Sequence, residues 1–342
     1  MSELRKDPVI DRWVIIAKER GKRPSDFAGS QDAHVAAFCP FCPGNEDVVP
    51  PEVLAYRDPD SQPNGPGWRL RVVPNKFPAL RDEGRITKHG ECIYDKMSGI
   101  GIHEVIIETP DHGLSLATME PRGVEDVVWA YRDRLTAIAK DGRFNSVIIF
   151  KNQGQAAGAT LDHSHSQLIA LPIIPSQLKD ELIGARRYFD FKERCVYCDI
   201  VDQELRHQER LVGENQDFIA VCPYAPRFPF EVWIIPKNHG AVFQETSKFG
   251  LENFAMMLSE TLKRLAEVLE DPPYNFVLHT APLHQDVGRF YHWHLEIMPK
   301  LTRVAGFEWG SGFFINPTPP EEAAKYLREA RIATEEEPSR SG

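Results

Sequence analysis

The sequence has no long apolar run. None of its stretches approaches the roughly 20 apolar residues that a membrane-spanning helix needs. Met1 is followed by the charged segment 3–7, so the beginning of the chain also lacks the apolar core of a secretory signal peptide. We therefore expect a cytoplasmic protein with no membrane partner.

The sequence is also poor in positive charge. It has 40 Lys and Arg residues against 50 Asp and Glu residues, which gives a formal net charge of −10 at pH 7. Because non-specific binding of nucleic acids depends on neutralising phosphates with Lys and Arg, we expect no nucleic-acid partner. A small anionic substrate is compatible with this charge if arginines are concentrated locally.

Cysteine is scarce, and its pattern does not suggest disulfide bonds. The 342 residues include six cysteines, and cytoplasmic chains seldom contain a disulfide framework. Four of the six form two Cys-x-x-Cys pairs, Cys39/Cys42 and Cys195/Cys198, and this spacing is typical of metal ligands. The cysteines therefore predict metal sites rather than cross-links.

Residues 160–172 contain the pattern with the most chemical potential. His163, His165 and Gln167 alternate there with small residues, so in an extended backbone their side chains project from one face. A neutral imidazole has a lone pair near pH 7 and can bind a metal or attack phosphorus. An isolated His-x-His is more often part of a polar edge strand, so the rest of the sequence must decide.

The second half of the sequence repeats the order of the first. His239 follows His112 by 127 residues, and His292 follows His163 by 129 residues. Residues 121–140 have helical periodicity and strands flank them, an order that also recurs. Agreement of this kind predicts two copies of one unit.

The repeat predicts an α+β fold in which each unit is an antiparallel sheet with a crossing helix. We expect an N-terminal unit at residues 1–175 that contains the nucleophile and a C-terminal unit at residues 176–335. Residues 336–342 are expected to be a frayed tail.

The repeat also tests the metal interpretation, because a structural zinc site should keep its ligands in both copies. Each copy has two cysteines and two distant histidines. The first set is Cys39, Cys42, His112 and His163, and the second set is Cys195, Cys198, His239 and His292. Such a set leaves no open position, so we predict one or two structural zinc ions per chain. The competing interpretation is reduced cysteines without a metal.

If His163 binds zinc, His165 remains free beside an anchored backbone. Its far nitrogen can attack phosphorus while a backbone carbonyl holds the near one. Gln167 on the same face can donate a hydrogen bond to a phosphoryl oxygen whose charge rises during transfer. The second copy has His294 and Glu296 at these positions, so we expect it to keep the fold without the chemistry.

A small-residue loop at 151–160 precedes these histidines, and loop and histidines together resemble a known motif. The chain is similar over nearly its whole length to the galactose-1-phosphate uridylyltransferase family, a branch of the histidine triad superfamily. The resemblance rests on the Cys-x-x-Cys pair Cys39/Cys42 and on His292 and His294 near the end of the second half. It also rests on Asn152, Gly154, Gly158, Thr160, His163, His165 and Gln167.

The resemblance implies two tandem histidine-triad-like units and a ping-pong reaction. UDP-glucose is attacked by His165 to give a uridylyl-histidine and glucose 1-phosphate, and galactose 1-phosphate then takes the uridylyl group. The resemblance implies substrate contacts for Asn75 and Phe77 at the base and ribose, Asn152 and Thr160 at the phosphates, and Glu308 and Asn316 at the hexose. In the family the hexose contacts cross a dimer interface, so the resemblance also implies a homodimer.

Ser164 departs from the uridylyltransferase pattern, which usually has His-Pro-His. The form His-Ser-His-Ser-Gln is also similar to the ADP-glucose phosphorylase relatives, which form an adenylyl-histidine and transfer it to phosphate. The base and the acceptor therefore stay open between these two activities. A dinucleoside-polyphosphate hydrolase or phosphorylase and, in another class, a non-catalytic zinc-stabilised nucleotide-binding module are further alternatives.

The second metal set also has a rival. Some members of the family hold a second metal through one Glu and three His, which correspond here to Glu181, His279, His292 and His294. The cysteine pair favours the set with Cys195 and Cys198, because thiolates bind zinc more strongly than a carboxylate does.

Overall fold

The structure is a computed structural model that describes residues 2–21, 23–27 and 38–332. The predicted tail at 336–342 lies outside the described residues. The strands in the described ranges are β1 Glu3–Lys6, β2 Trp13–Ile16, β3 Leu54–Arg57, β4 Trp68–Pro74, β5 Lys88–Glu91, β6 Tyr94–Met97, β7 Ile102–Ile107, β8 Ser146–Gln153, β9 His165–Leu171, β10 Leu211–Glu214, β11 Phe218–Val221, β12 Val232–Pro236, β13 Tyr274–His279, β14 His294–Pro299 and β15 Phe314–Asn316. The α-helices are α1 Pro121–Ile138, α2 Ser176–Lys192, α3 Val196–His207, α4 Lys248–Leu269, α5 Gly306–Ser311 and α6 Pro320–Glu329.

One ten-stranded sheet runs through both halves of the chain. Its strand order is β10-β11-β12-β14-β13-β8-β9-β7-β4-β3, and every neighbouring pair is antiparallel. Each half supplies five strands. The predicted α+β class with antiparallel sheets is therefore confirmed, and the structure adds that the two units share a single sheet.

The two halves meet where β8 pairs with β13. Phe150 lies opposite Val277 in this pair. In the adjoining strands Gln167 lies opposite Phe150, and Glu296 lies opposite Val277. Since Gln167 and Glu296 occupy equivalent positions in the repeat, the pairing is symmetrical about Phe150 and Val277. A local two-fold axis thus relates the halves.

The long helices α1 and α4 cover one face of this sheet and touch each other. Both follow the predicted helical periodicity, and their buried residues recur at three- and four-residue spacing, as a helix packed on one side requires. Their apolar side chains and the inward side chains of the strands form one large core. No helix in the described ranges is long and apolar enough to cross a membrane.

The opposite face of the sheet is covered unequally. Over the second half, α2 and α3 pack on β11 and β12 through residues such as Tyr197 and Trp233. Over the first half, a smaller cluster around Cys39, Phe41 and Trp68 takes their place. The repeat does not predict α2 or α3, because the described part of the first half has no counterpart of these helices. In this smaller cover Phe41 packs edge-on against the ring of His165, with the ring centroids 5.4 Å apart.

The apolar residues of segment 9–18 predict an opening strand, and the strand in the structure is shorter. A turn replaces its beginning, because the Asp7 carboxylate accepts hydrogen bonds from the backbone N–H groups of Val9 and Ile10 at 2.8 and 3.2 Å. The remaining strand, β2, pairs with β1 on one side and with β15 on the other. This small sheet brings the N-terminal segment against the C-terminal half.

Gly184 of α2 allows the N-terminal segment to pack closely, and its substitution tests that contact. A Cβ atom at Gly184 would lie 1.7 Å from the carbonyl oxygen of Val9, which is backbone and cannot rotate away. We expect Gly184→Ala to lower the free energy of unfolding by about 1–3 kcal/mol, as overpacking does. Urea unfolding followed by tryptophan fluorescence measures the change.

Gly123→Ala in α1 is the matched control, because a Cβ atom there meets the flexible side chain of Met119 at 3.3 Å. Alanine favours a helix over glycine by up to about 1 kcal/mol, so this variant should be neutral or more stable. Equal losses in both variants would contradict the role of Gly184.

Candidate active site and metal-ligand groups

His165 stands at the start of β9 with one ring nitrogen already engaged. Its Nδ1–H donates to the carbonyl oxygen of His163 at 2.8 Å, and a carbonyl can only accept. The lone pair is therefore on Nε2. Burial lowers the pKa of His165, and the cation of Lys151 lowers it further. A neutral imidazole with its lone pair on Nε2 results.

Gln167 lies on the same face of β9 as His165, two residues further along. The two side chains share this face with their partners on β7, since Ile107 pairs with His165 and Val105 pairs with Gln167. Gln167 is half-buried, with its Oε1 atom 2.9 Å from Nε2 of His103. The amide is therefore held at one end on the face that also carries His165.

A buried ion pair lies beneath His165, on the side of the sheet that faces α1. The Nζ of Lys151 donates to Glu108 at 2.7 Å, to the hydroxyl of Ser164 at 3.0 Å and to the carbonyl oxygen of His165 at 3.0 Å. The hydroxyl of Ser164 also donates to Glu108 at 2.6 Å. Burial lowers the pKa of Lys151, although Glu108 opposes this effect. The network holds the backbone on both sides of the His165 side chain.

Sequence reasoning did not identify this network. Lys151 is on β8 and Glu108 follows β7, so only the strand register brings them together. Ser164 departs from the His-Pro-His motif, and the structure gives it a physical role. A proline at this position would have no hydroxyl to offer to Lys151 and Glu108.

The loop that precedes His163 is held by the second half of the chain. The amide nitrogen of Asn275 on β13 donates to the Oδ1 of Asn152 and to the carbonyl oxygen of Ala157, both at 2.8 Å. Gly154 and Gly158 have φ angles of 79° and 91°, a region in which other residues are strained. The fixed loop presents backbone beside the candidate site.

The other predicted substrate contacts differ in their accessibility. Thr160 is exposed, and the Phe77 side chain is 84% exposed. The amide nitrogen of Asn75 lies 3.1 Å from Nε2 of His103, which places Asn75 beside Gln167. Asn75 and Gln167 are thus brought together through a residue that sequence reasoning missed.

The two predicted hexose contacts, Glu308 and Asn316, lie in α5 and at the end of β15. Asn316 is fully buried, where its amide donates to the carbonyl oxygen of Pro226 at 3.2 Å and accepts from the N–H of Thr318 at 2.9 Å. Glu308 is in α5 and accepts from the N–H of Ala305 at 3.1 Å. Within one chain the structure places these contacts with the small sheet of β1, β2 and β15.

The first predicted ligand set comes together completely. The Nδ1 of His163 lies 3.5 Å from the sulfur of Cys39 and 3.6 Å from that of Cys42, and the Nδ1 of His112 lies 3.4 Å from Cys42. The Nε2–H of His163 donates to the carbonyl oxygen of Thr109 at 2.7 Å, which leaves Nδ1 for a metal. All four ligand atoms lie within 4.8 Å of one another, so this group could hold a metal ion.

The second predicted set comes together in the same way. The sulfur of Cys198 lies 3.3 Å from the Nδ1 of His239 and 3.7 Å from the Nδ1 of His292. With Cys195 they form a second group whose ligand atoms lie within 4.8 Å of one another. The rival set with Glu181 does not come together, because His292 lies with Cys195 and Cys198.

The remaining members of the rival set form a separate buried group with Glu296, the counterpart of Gln167. The four residues of this group are Glu181, His279, His294 and Glu296. The guanidinium of Arg227 donates to Glu296. Burial raises the pKa of Glu296, but the cations of Arg227 and His279 outweigh burial and lower it to about 2. The second copy therefore holds a buried charged cluster where the first has His165 and Gln167.

Comparison with known families matches both halves of the chain. Residues 1–175 match the family described as galactose-1-phosphate uridyl transferase, N-terminal domain. Residues 181–322 match its counterpart, described as galactose-1-phosphate uridyl transferase, C-terminal domain.

Characterised proteins are similar over nearly the full length. An ADP-glucose phosphorylase of Arabidopsis thaliana is 39% identical over 337 residues, covering 96% of this chain and 93% of that protein. A galactose-1-phosphate uridylyltransferase of Thermotoga maritima is 30% identical over 341 residues, covering 97% of this chain and 99% of that protein.

Solved structures give the same result. The crystal structure of an ADP-glucose phosphorylase from Arabidopsis thaliana with bound ADP-glucose has a TM-score of 0.82 and 37% identity, covering 97% of this chain and 100% of that chain. A structure described as uridylyltransferase has a TM-score of 0.74 and 28% identity, covering 96% of this chain and 97% of that chain.

Removing the Lys151 ammonium tests the buried ion pair. Lys151→Met leaves the Glu108 carboxylate buried without a cation, so we expect the free energy of unfolding to fall by about 3–5 kcal/mol. Lys151→Met combined with Glu108→Gln removes both charges and should recover most of this loss. Urea unfolding of the two variants and the wild type measures the difference.

Arg186→Met is the control, because it breaks an exposed ion pair. The side chain of Arg186 is 61% exposed and that of its partner Asp190 is 56% exposed. Exposed pairs contribute less than about 1 kcal/mol. If the double variant is as unstable as Lys151→Met, the loss does not come from an unpaired charge.

Proposed function

Because the chain belongs to the galactose-1-phosphate uridylyltransferase family, we propose that it transfers a nucleotidyl group from a nucleotide sugar through a covalent bond to His165. The relatives are nucleotidyltransferases, and this chain is an enzyme of that class. The observation that carries the proposal is the hydrogen bond from His165 Nδ1–H to the His163 carbonyl, which directs the lone pair of Nε2 beside Gln167.

In the first step, Nε2 of His165 attacks the α-phosphorus of the nucleotide sugar. A phosphorus–nitrogen bond forms, the bond from this phosphorus to the bridging oxygen breaks, and hexose 1-phosphate leaves with the electron pair. Gln167 donates to the phosphoryl oxygen, whose negative charge increases in the transition state. The ring keeps its Nδ1–H, and the His163 carbonyl stabilises the positive charge that the imidazole gains.

In the second step, a phosphate oxygen of the acceptor attacks the same phosphorus. The phosphorus–nitrogen bond breaks, and its electron pair returns to His165. Asn152, Thr160 and the glycine loop are proposed to hold the phosphates, with Asn75 and Phe77 at the nucleoside. The carbonyl of His165 remains bonded to Lys151 throughout, so the nucleophile does not have to be repositioned between the steps.

UDP-glucose with galactose 1-phosphate is the donor and acceptor pair that we propose first, in keeping with the family and with the uridylyltransferase of Thermotoga maritima. A second candidate is transfer of an adenylyl group from ADP-glucose to phosphate. Two specific observations favour it. The ADP-glucose phosphorylase of Arabidopsis thaliana is 39% identical, and Ser164 is bound to Lys151 and Glu108 where the uridylyltransferase pattern has proline.

The two cysteine and histidine groups are proposed to hold one structural zinc ion each. With Zn–S near 2.3 Å and Zn–N near 2.0–2.1 Å, a tetrahedral site separates sulfur from nitrogen by about 3.5 Å. The corresponding distances of 3.4–3.6 Å in the first group and 3.3 and 3.7 Å in the second fit this value. Zinc on His163 would fix the carbonyl that orients His165.

We further propose that residues 1–175 carry the transfer reaction and that residues 176–335 support it. Glu308 is proposed to act at the site of a second copy in a homodimer. Asn316 is fully buried and bonded to Pro226 and Thr318 within its own chain, so we propose that it holds this segment in place rather than contacting the hexose. A cytoplasmic location stays a prediction.

Labelling of the protein tests the covalent intermediate. Incubation with UDP-glucose or ADP-glucose labelled in the α-phosphate should give an acid-labile, base-stable label, which is the behaviour of a phosphorus–nitrogen bond to histidine. His165→Ala should abolish the label. His207→Ala changes an exposed histidine outside the site and should keep it. Absence of label from both donors would refute the transferase proposal.

Comparison of the two labelling rates, followed by exchange kinetics with galactose 1-phosphate and with phosphate, identifies the base and the acceptor. Faster labelling by ADP-glucose with discharge by phosphate would overturn the uridylyl assignment and leave the His165 mechanism intact.

Elemental analysis tests the zinc sites. We expect about two zinc ions per chain in the wild type and about one in Cys42→Ala and in Cys198→Ala, because each substitution removes one of four ligands. Cys92→Ala replaces an exposed cysteine outside both groups and should keep both ions. A wild-type value near one would remove the second site.

A further inference from the structure

His103 contacts Asn75, Ala79 and Gln167 and takes no part in the proposed transfer steps. It lies on β7, on the same face of the sheet as Gln167 and two residue pairs away from it along the strands. Its ring is half-buried, with contacts at both nitrogens. These contacts decide which nitrogen of His103 carries the proton.

The backbone determines the tautomer of His103. The N–H of Ala79 points at Nδ1 at 3.1 Å, and a backbone N–H can only donate. Nδ1 must therefore be the acceptor, and in the neutral ring the proton is on Nε2. The Nε2–H then donates to Oε1 of Gln167, 2.9 Å away.

Asn75 is the one partner that the Nε2–H tautomer leaves without a hydrogen bond to His103. Its Oδ1 accepts from the N–H of Phe77 at 2.9 Å, so its amide nitrogen faces His103 at 3.1 Å. A protonated Nε2 has no lone pair for that amide. The opposite tautomer would accept from Asn75, but it would set a ring N–H against the fixed N–H of Ala79. The Nε2–H form satisfies more partners and leaves the Asn75 amide hydrogens for a ligand.

We propose that His103 is a positioning residue that fixes the orientation of the Gln167 amide, so that its NH2 group rather than its oxygen faces the reacting phosphate. An amide can rotate by 180° at little cost in space, and the wrong end would set an oxygen against a negatively charged phosphoryl oxygen. The hydrogen bond from His103 removes that choice. This inference rests on the proposed function of Gln167.

The rate at which the nucleotidyl group is transferred to His165 in a single turnover tests the proposal. His103→Phe keeps the ring and removes both nitrogens, so we expect the rate at saturating donor to fall by about tenfold or more, less than the roughly 100-fold loss of a direct donor. The donor concentration for half-maximal rate should change little. His103→Gln, whose amide can donate near the position of Nε2, should recover most of the rate.

Combination with Gln167→Ala separates positioning from a structural effect. If His103 acts through Gln167, then His103→Phe should cost less than about twofold more in the Gln167→Ala background, because the two losses are not additive. Additive losses, or failure of His103→Gln to recover the rate, would overturn the proposal.

A measurement that does not need activity keeps this test distinct from that of the proposed function. In protein with 15N-labelled histidine, the signal that is missing in His103→Phe identifies His103. Long-range 1H–15N correlation should show a protonated Nε2 and an unprotonated Nδ1. The opposite tautomer would overturn the inference, even if neither nucleotide sugar labels His165.

Discussion

The antiparallel pairing of β8 with β13 is the interaction on which the rest of the molecule depends. It joins two five-stranded halves into one sheet and brings α1 and α4 together over a common core. The same pairing places Asn275 of the second half under Asn152 and Ala157 of the first. The loop beside His165 is therefore held from across the boundary between the halves, and the first half depends on the second for the shape of its site.

Two copies of the same backbone have acquired different interiors. In both, the second histidine of a His-x-His donates from Nδ1 to the carbonyl of the first, at 2.8 Å for His165 and 3.1 Å for His294. Two residues later the copies diverge. Gln167 can donate to a phosphate, whereas Glu296 carries a negative charge that would repel one. In the second copy this charge is neutralised internally by Arg227, and α2 and α3 cover the face that the smaller cluster around Cys39, Phe41 and Trp68 covers in the first.

The parts of the site that sequence could predict are those whose spacing is recorded in the chain. Each Cys-x-x-Cys pair predicts two ligands, and the repeat predicts the two histidines that complete each set. The structure brings both predicted sets together. Lys151 and His103 were beyond this reasoning. Their partners lie 43 and 64 residues away, Glu108 directly after β7 and Gln167 on β9. A lysine in a sequence is also normally expected to face solvent. Only the register of β7, β8 and β9 shows that Lys151 is buried and that His103 reaches Gln167.

The symmetry of the central strand pair has a consequence for the first half on its own. Phe150 and Val277 lie where the local two-fold axis crosses the sheet. The partner strand β13 therefore has the same backbone geometry as β8. Separated from the second half, β8 would be a bare edge strand, with free N–H and C=O groups that are complementary to a second β8 in the opposite direction. A severed N-terminal half would thus tend to self-associate through Phe150, in the manner of an isologous dimer. Because the two halves are covalently linked, β13 always occupies that edge and protects the chain from aggregation along it.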